Sequence, residues 1–103
     1  NNIQRKLCIM GGEPMCNENI FLTLMVVSEA KKRYPWLEIY LWSGYTYEEL
    51  LTRSKSESKI DLILKDVKVL IDGPYDETQR DITLPLRGSH NQRIILLDNN
   101  KKI

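Results

Sequence analysis

An α/β domain with a mainly parallel sheet is predicted by three observations on the 103-residue sequence. Short apolar runs alternate with helix-patterned segments, in the order strand, helix, strand, helix, strand, loop, strand. The first three strands stop at glycines or an Asp-Gly pair: Gly11-Gly12, then Gly44, then Asp72-Gly73. Apolar residues make up 42% and charged residues 28%, the mix of a globular chain and not of a disordered one. A single domain over residues 1–103 is expected, burying roughly 65% of the surface its unfolded chain exposes.

Each element has its own reason. Lys6 to Met10 reads as a short strand buried on both faces, because LCIM is apolar throughout. Asn17 or Asn19 then caps a helix running to about Arg33, with Lys31, Lys32 and Arg33 at its C-terminal end, where the helix dipole favours positive charge. Apolar residues cover well over half of that helix (Ile20, Phe21, Leu22, Leu24, Met25, Val26, Val27, Ala30), so it is expected to be largely covered. Pro35 forbids continuation. Glu38 to Ser43 is the second strand, rich in the β-formers Ile39, Tyr40 and Trp42. Thr46 and Glu49 form a capping box that opens a helix to about Arg53. The polar stretch Ser54 to Ser58 leads into a further helical turn carrying Ile60, Leu62 and Ile63 to the core. Val67 to Ile71 is a third buried strand, Tyr75 to Leu86 an irregular excursion, and Arg93 to Leu97 the last strand. A polar, frayed tail follows, with Lys101 and Lys102 solvated.

Fifteen basic and fourteen acidic residues leave a net charge of +1, so no strong field draws nucleic acid or an anionic membrane. The longest apolar stretches, Ile20 to Val27 and Ile39 to Trp42, fall far short of a bilayer span, and the start does not read as a secretory leader. A cytoplasmic location is the expectation. Cys8 and Cys16 are expected to stay reduced, and their spacing matches no standard metal pair. His90, the single histidine, has no second His or Cys at ligand spacing. Trp36 and Trp42 read as core or interface aromatics.

In parallel α/β sheets the ligand side lies at the strands' C-terminal ends. Gly11-Gly12-Glu13-Pro14, Ser43-Gly44-Tyr45 and Asp72-Gly73 all fall there. The first stretch has two readings. It serves as a plain strand-to-helix turn, or it bares the backbone to a polar ligand with Glu13 as acceptor for an ammonium. It is not the phosphate loop GxxxxGK[ST], nor does it have GxGxxG spacing. Asp72 likewise reads as a turn former or as a site residue. Arg87-Gly88-Ser89-His90-Asn91-Gln92 sets five polar side chains around one glycine before an apolar strand.

Taken in order, GGEP, YLWSGY, VLIDGPY and LRGSHNQRII resemble the C-terminal two-thirds of the anaerobic ribonucleoside-triphosphate reductase-activating family, glycyl-radical-enzyme activases of the radical S-adenosylmethionine superfamily. The resemblance runs from about Leu7 to Leu97. It implies a partial (β/α) barrel of the radical S-adenosylmethionine type. It also implies that Gly11, Gly12, Glu13 and Pro14 hold the methionyl amino group of S-adenosylmethionine, with Ser43 and Asp72 lining the cofactor cavity. Arg87, Ser89 and Asn91 match a signature of the subfamily that either fixes the last strand or contacts the reductase. The implied reaction is one-electron reduction of a [4Fe-4S] cluster bound to S-adenosylmethionine, whose cleavage gives a 5′-deoxyadenosyl radical that takes hydrogen from a glycine of the reductase. The implied partners are the anaerobic ribonucleoside-triphosphate reductase and a one-electron donor such as flavodoxin.

The chain departs from that family in lacking the CxxxCxxC loop that binds the cluster upstream of GGEP. With Asn1 in place of an initiating Met, the expectation is a fragment missing the N-terminal strand and the cluster loop, inactive as it stands. No residue of the chain is then expected to ligate a metal. An open sheet edge would invite self-association. The competing expectation is a non-catalytic reductase-docking module, or a degenerate remnant without radical chemistry.

Overall fold

A computed structural model describes residues 6–97; the tail with Lys101 and Lys102 lies outside them. The chain runs β1 (Lys6–Ile9), α1 (Ile20–Arg33), β2 (Glu38–Trp42), α2 (Tyr47–Ser54), α3 (Ser58–Leu64), β3 (Val69–Asp72) and β4 (Arg93–Leu96), with a single 3-10 turn at Glu77–Gln79. The strands form one sheet in the order β1-β2-β3-β4. β1, β2 and β3 are mutually parallel, and β4 pairs antiparallel to β3. The α/β class and the mainly parallel sheet are as the sequence predicts. Four strands in a row do not by themselves make a barrel.

The register sorts the sheet into two faces. Leu7, Ile9, Ile39, Leu41, Leu70 and Ile95 share one face, and they pack against Ile20, Val27, Leu50, Ile60 and Ile63 of the three helices. The other face carries Cys8, Tyr40, Trp42, Val69, Ile71, Ile94 and Leu96. No helix of the described residues joins the core from that side. Trp42 Nε1 donates to the Leu86 carbonyl at 2.7 Å, which pins the 75–88 excursion to the end of β2.

Four expectations need correction. β1 is not buried on both faces: Cys8 is exposed and Leu7 and Ile9 are half-buried, because β1 ends the sheet order and has helices on one side only. α1 is not largely covered. It buries Ile20, Thr23 and Val27, while Phe21 and Leu22 are 60% and 63% exposed, and Met25 and Val26 are exposed beside them. Leu62 is also exposed, since α3 turns only Ile60, Ile63 and Leu64 inward. Trp36 stands 62% exposed against Tyr34, with ring centroids 5.6 Å apart, and is no core residue.

The helix ends are set locally. Thr46 and Glu49 make the expected capping box: Glu49 N donates to Thr46 Oγ1 at 3.1 Å and Thr46 N to Glu49 Oε1 at 2.8 Å. At α1 the Asn19 side chain does not cap the helix. Its Nδ2 turns back to the Glu13 carbonyl at 3.0 Å, spending the amide on the glycine turn instead. Lys31 Nζ ties the far end of α1 to the segment that follows it, donating to the Pro35 and Leu37 carbonyls at 2.8 and 3.0 Å.

Candidate functional site

The loops that leave β1, β2 and β3 meet at the C-terminal rim of the parallel strands. After β1 the backbone turns through Gly11 and Gly12 with φ of +81° and +40°, a region that costs an L side chain strain and glycine none. A Cβ on Gly11 would meet no atom within 4 Å, so the peptide stands open. The Gly11 and Gly12 peptides have no hydrogen-bond partner among the described residues. That turn brings Glu13 across to the end of β2.

Glu13 and Ser43, named separately in the sequence, are in direct contact. Ser43 Oγ donates to Glu13 Oε2 at 2.7 Å, and Met15 N donates to the same oxygen at 3.0 Å. Gly44 N donates to Oε1 at 2.6 Å. A carboxylate oxygen accepts about two hydrogen bonds, so Oε2 is filled and Oε1 keeps one acceptor site. A depression of about 550 Å³ opens there, lined by Glu13, Gly44, Tyr45, Thr46, Glu49 and Pro74. Pro14 is buried, and its carbonyl accepts from Thr23 Oγ1 at 2.7 Å, tying the turn to α1.

Asp72 lies at the end of β3 and is 1% exposed. Its Oδ2 accepts from Tyr47 N at 2.7 Å, one of the N–H groups that the start of α2 leaves without a helical partner. Arg93 donates Nε to Oδ1 at 3.1 Å and an NH2 hydrogen to Oδ2 at 2.5 Å. The same guanidinium reaches Glu48 at 2.6 Å. These two carboxylates, Asp72 first, raise the Arg93 pKa. Asp72 therefore joins β3, β4 and α2, while Glu13 joins the loops after β1 and β2.

Arg87, Ser89 and Asn91 lie away from Glu13, in the loop that enters β4. Ser89 is fully buried; its Oγ donates to Asn91 Oδ1 at 2.6 Å and accepts from Asp76 N at 3.1 Å. Asn91 Nδ2 donates to the Pro74 carbonyl at 2.7 Å, and Arg87 NH1 donates to the Gln92 carbonyl at 2.8 Å. Gln92 Oε1 accepts from Gly88 N and Ser89 N, while its Nε2 donates to the Gly73 carbonyl. The loop thus binds itself and the 73–76 segment into one unit. His90 Nε2 lies 3.0 Å from Asp81 Oδ2 on its outer edge.

Acid should loosen this loop. Hydrogen bonds from Thr78, then Gln79, lower the Asp76 pKa, and those from Thr83, then His90, lower that of Asp81. Folded values below the unfolded one mean stability that is present above about pH 3.9 and lost as pH falls through the folded pKa. Carboxyl carbon shifts followed by NMR are expected to titrate below about 3.9 for both residues. Midpoints at or above that value would refute the hydrogen bonding.

Sequence reasoning missed Arg53 and Arg93 as site residues, because each acts through a partner more than 20 positions away, and it read Asn19 only as a helix cap although the side chain turns back to the Glu13 carbonyl. The capping spacing of Thr46 and Glu49 was the one local signal near them. For metals the residues are sparse. Cys8 is exposed and Cys16 half-buried, both as free thiols, and among the described residues no three His, Cys, Asp or Glu side chains group to hold an ion. Among the described residues no helix is long and apolar enough to cross a membrane.

Comparison with known proteins identifies the relatives of this chain. The family described as a 4Fe-4S single cluster domain matches residues 1–95. An anaerobic ribonucleoside-triphosphate reductase-activating protein of Vibrio cholerae is 36% identical over 88% of this chain and 55% of its own length. Proteins of the same name from Pasteurella multocida and Haemophilus influenzae are 35% and 34% identical, each over 85% of this chain and 53% of its own length. The chain thus spans about half the length of the curated relatives it matches. No solved structure matches it. By the family match and these relatives together, the chain belongs to the 4Fe-4S single cluster domain family and is a homologue of the anaerobic ribonucleoside-triphosphate reductase-activating proteins.

Proposed function

We propose that this chain is the S-adenosylmethionine-binding side of a radical activase that acts in the cytoplasm on an anaerobic ribonucleoside-triphosphate reductase, with a one-electron donor such as flavodoxin. The observation that carries this reading is the Glu13 carboxylate, fixed by three donors with one acceptor site left on Oε1, beside the open Gly11 peptide. That arrangement suits an ammonium group: Oε1 accepts one N–H, and the bared turn lets the remaining polar atoms approach the backbone. S-adenosylmethionine, when bound, supplies the sulfonium whose reductive cleavage begins the radical chemistry.

The chain's own residues then bind and orient. Gly11 and Gly12 give access, Glu13 holds the ammonium, and Pro14 is held by Thr23 so that the turn keeps its shape. Ser43 orients Glu13. Asp72, through Tyr47 N–H, keeps α2 and the preceding Tyr45–Thr46 segment at the edge of the depression. Arg87, Ser89 and Asn91 fix the entry to β4 and hold the exposed Leu86 and Ile82 outward, a surface suited to the reductase. Three parallel strands with helices on one face and no helix on the other, among the described residues, support reading the sheet as an arc of the partial barrel.

The cluster is another matter. A [4Fe-4S] centre is held by cysteine thiolates, commonly four; this sequence has two cysteines, and the described residues offer no ligand group. These residues do not fit the cluster, and no step is derived through it.

One experiment with two arms tests the proposal. Calorimetry with S-adenosylmethionine is expected to show binding that Glu13→Gln weakens by about tenfold or more, since charge-assisted hydrogen bonds contribute about 1.5–3 kcal/mol. Equal heats for both proteins would remove Glu13 from the site. Reconstitution of this chain with iron and sulfide is expected to give no stable cluster spectrum, and a stable [4Fe-4S] signal would overturn the assignment of the cluster to ligands beyond these residues.

A further inference from the structure

We infer that Arg53 is a positioning residue for the ammonium site, setting the Glu13 carboxylate from both sides at once. The inference rests on the reading of that site given above. Arg53 projects from the last turn of α2 and is half-buried. Its NH1 donates to the Met15 carbonyl at 2.6 Å and its NH2 to Asn17 Oδ1 at 3.0 Å. The guanidinium also lies over the Tyr45 ring, 4.6 Å from the centroid.

These contacts close two paths onto one carboxylate. On the first, Arg53 holds the Met15 carbonyl, and the N–H on the other side of the Met15 Cα donates to Glu13 Oε2. On the second, Arg53 holds Tyr45, whose N–H donates to Ser43 Oγ at 3.1 Å; Ser43 Oγ in turn donates to Glu13 Oε2. Gly44, between Ser43 and Tyr45, supplies the bond to Oε1. Arginine suits this position because one planar group can fork to two oxygens and stack on a ring, which a lysine ammonium cannot reproduce. Among the described residues, the direct hydrogen bonds between the two loops that meet at Glu13 are those of Glu13 itself, so Arg53 is the second polar tie between them. The orientation of Oε1, and hence the direction in which an ammonium can be held, then follows Arg53.

The test uses the full ¹⁵N-labelled chain as wild type, Arg53→Ala, Arg53→Lys and Tyr45→Leu. Without ligand, hydrogen exchange at the Gly44 and Met15 amides is expected to quicken by about tenfold or more in Arg53→Ala, as local opening becomes easier. The sheet amides of Leu70 and Ile71 should be unchanged. With S-adenosylmethionine as the probe, the dissociation constant read from the Gly11 and Gly12 amide shifts is expected to rise by about tenfold in Arg53→Ala. Arg53→Lys and Tyr45→Leu, each keeping part of the contact set, should fall between it and wild type. A purely structural role would lower unfolding stability and leave affinity in the folded protein unmoved. Wild-type exchange and affinity in Arg53→Ala would overturn the assignment, and if that variant does not fold, the same result in Tyr45→Leu and Arg53→Lys would do so. Absence of any Gly11 or Gly12 shift in the wild type would instead overturn the ammonium site, and Arg53's part in it.

Discussion

Asp72→Ala is expected to destabilise the fold by about 3 kcal/mol, because it removes the charge-assisted hydrogen bonds that a buried carboxylate accepts from Tyr47 N–H and from Arg93, whose own guanidinium stays half-exposed and paired with Glu48. For a domain of this size that corresponds to a fall in melting temperature of roughly 12–24 °C. The carboxylate is 1% exposed and satisfies two groups at once, the first N–H of α2 and the Arg93 guanidinium. Alanine leaves Tyr47 N–H without its acceptor and removes the tie between β3, β4 and α2. Glu48 also meets Arg93, but its side chain is 67% exposed. Glu48→Gln should therefore cost far less, as exposed pairs do. Urea unfolding of the two variants separates these cases. An Asp72→Ala protein within about 1 kcal/mol of wild type that has lost S-adenosylmethionine binding would assign Asp72 to the cofactor and not to the frame.

Glu13→Ala carries the second large effect, on two observables. Three donors lose their acceptor: Ser43 Oγ, Met15 N and Gly44 N. Ser43 is buried, so its hydroxyl must rotate to a new partner, whereas Gly44 is exposed and water can replace the lost bond. A net loss of about 2 kcal/mol is expected, nearer one unsatisfied buried group than three. Binding of S-adenosylmethionine should disappear together with it. Glutamine keeps one acceptor but turns an NH2 toward a second donor, so its stability loss should be about half that of alanine. If Glu13→Ala unfolds at the wild-type urea midpoint, the three hydrogen bonds do not hold the rim together.

What the sequence made legible divides along a physical line. Local signals were read correctly: the Thr46–Glu49 box, the stop at Pro35, the glycines ending β1 and β2, and the polar irregularity after Gly73. These depend on neighbours within four residues and on φ. Coverage was not legible. Phe21, Leu22, Met25 and Val26 look like Ile20 and Val27 in composition, and only the packing of α1 against α3 and the sheet decides which of them face solvent. β1 shows the same limit, since an apolar run cannot announce that it ends the sheet. In the candidate site the residue types were legible and their pairing was not. Glu13 and Ser43 were both marked, without any sign that they touch; Asp72 was marked without Arg93. Arg53 had no mark at all, since an arginine late in a short helix reads as a dipole-favoured surface charge. The resemblance supplied the reading of the motifs as a set, and the three relatives named above agree with it.

The separations along the chain of the rim contacts have a kinetic consequence. Glu13 reaches Ser43 and Gly44 across 30 and 31 residues, Asp72 reaches Tyr47 across 25, and Arg53 reaches Met15 across 38. Met15 N to Glu13 and Tyr45 N to Ser43 are local. Closing each long loop costs entropy before the contact repays it. The rim therefore cannot assemble in a state that holds only native helices or an isolated β3–β4 pair. It appears when β1 docks on β2, so the binding surface is among the last parts of the molecule to exist during folding and among the first to vanish if β1 detaches.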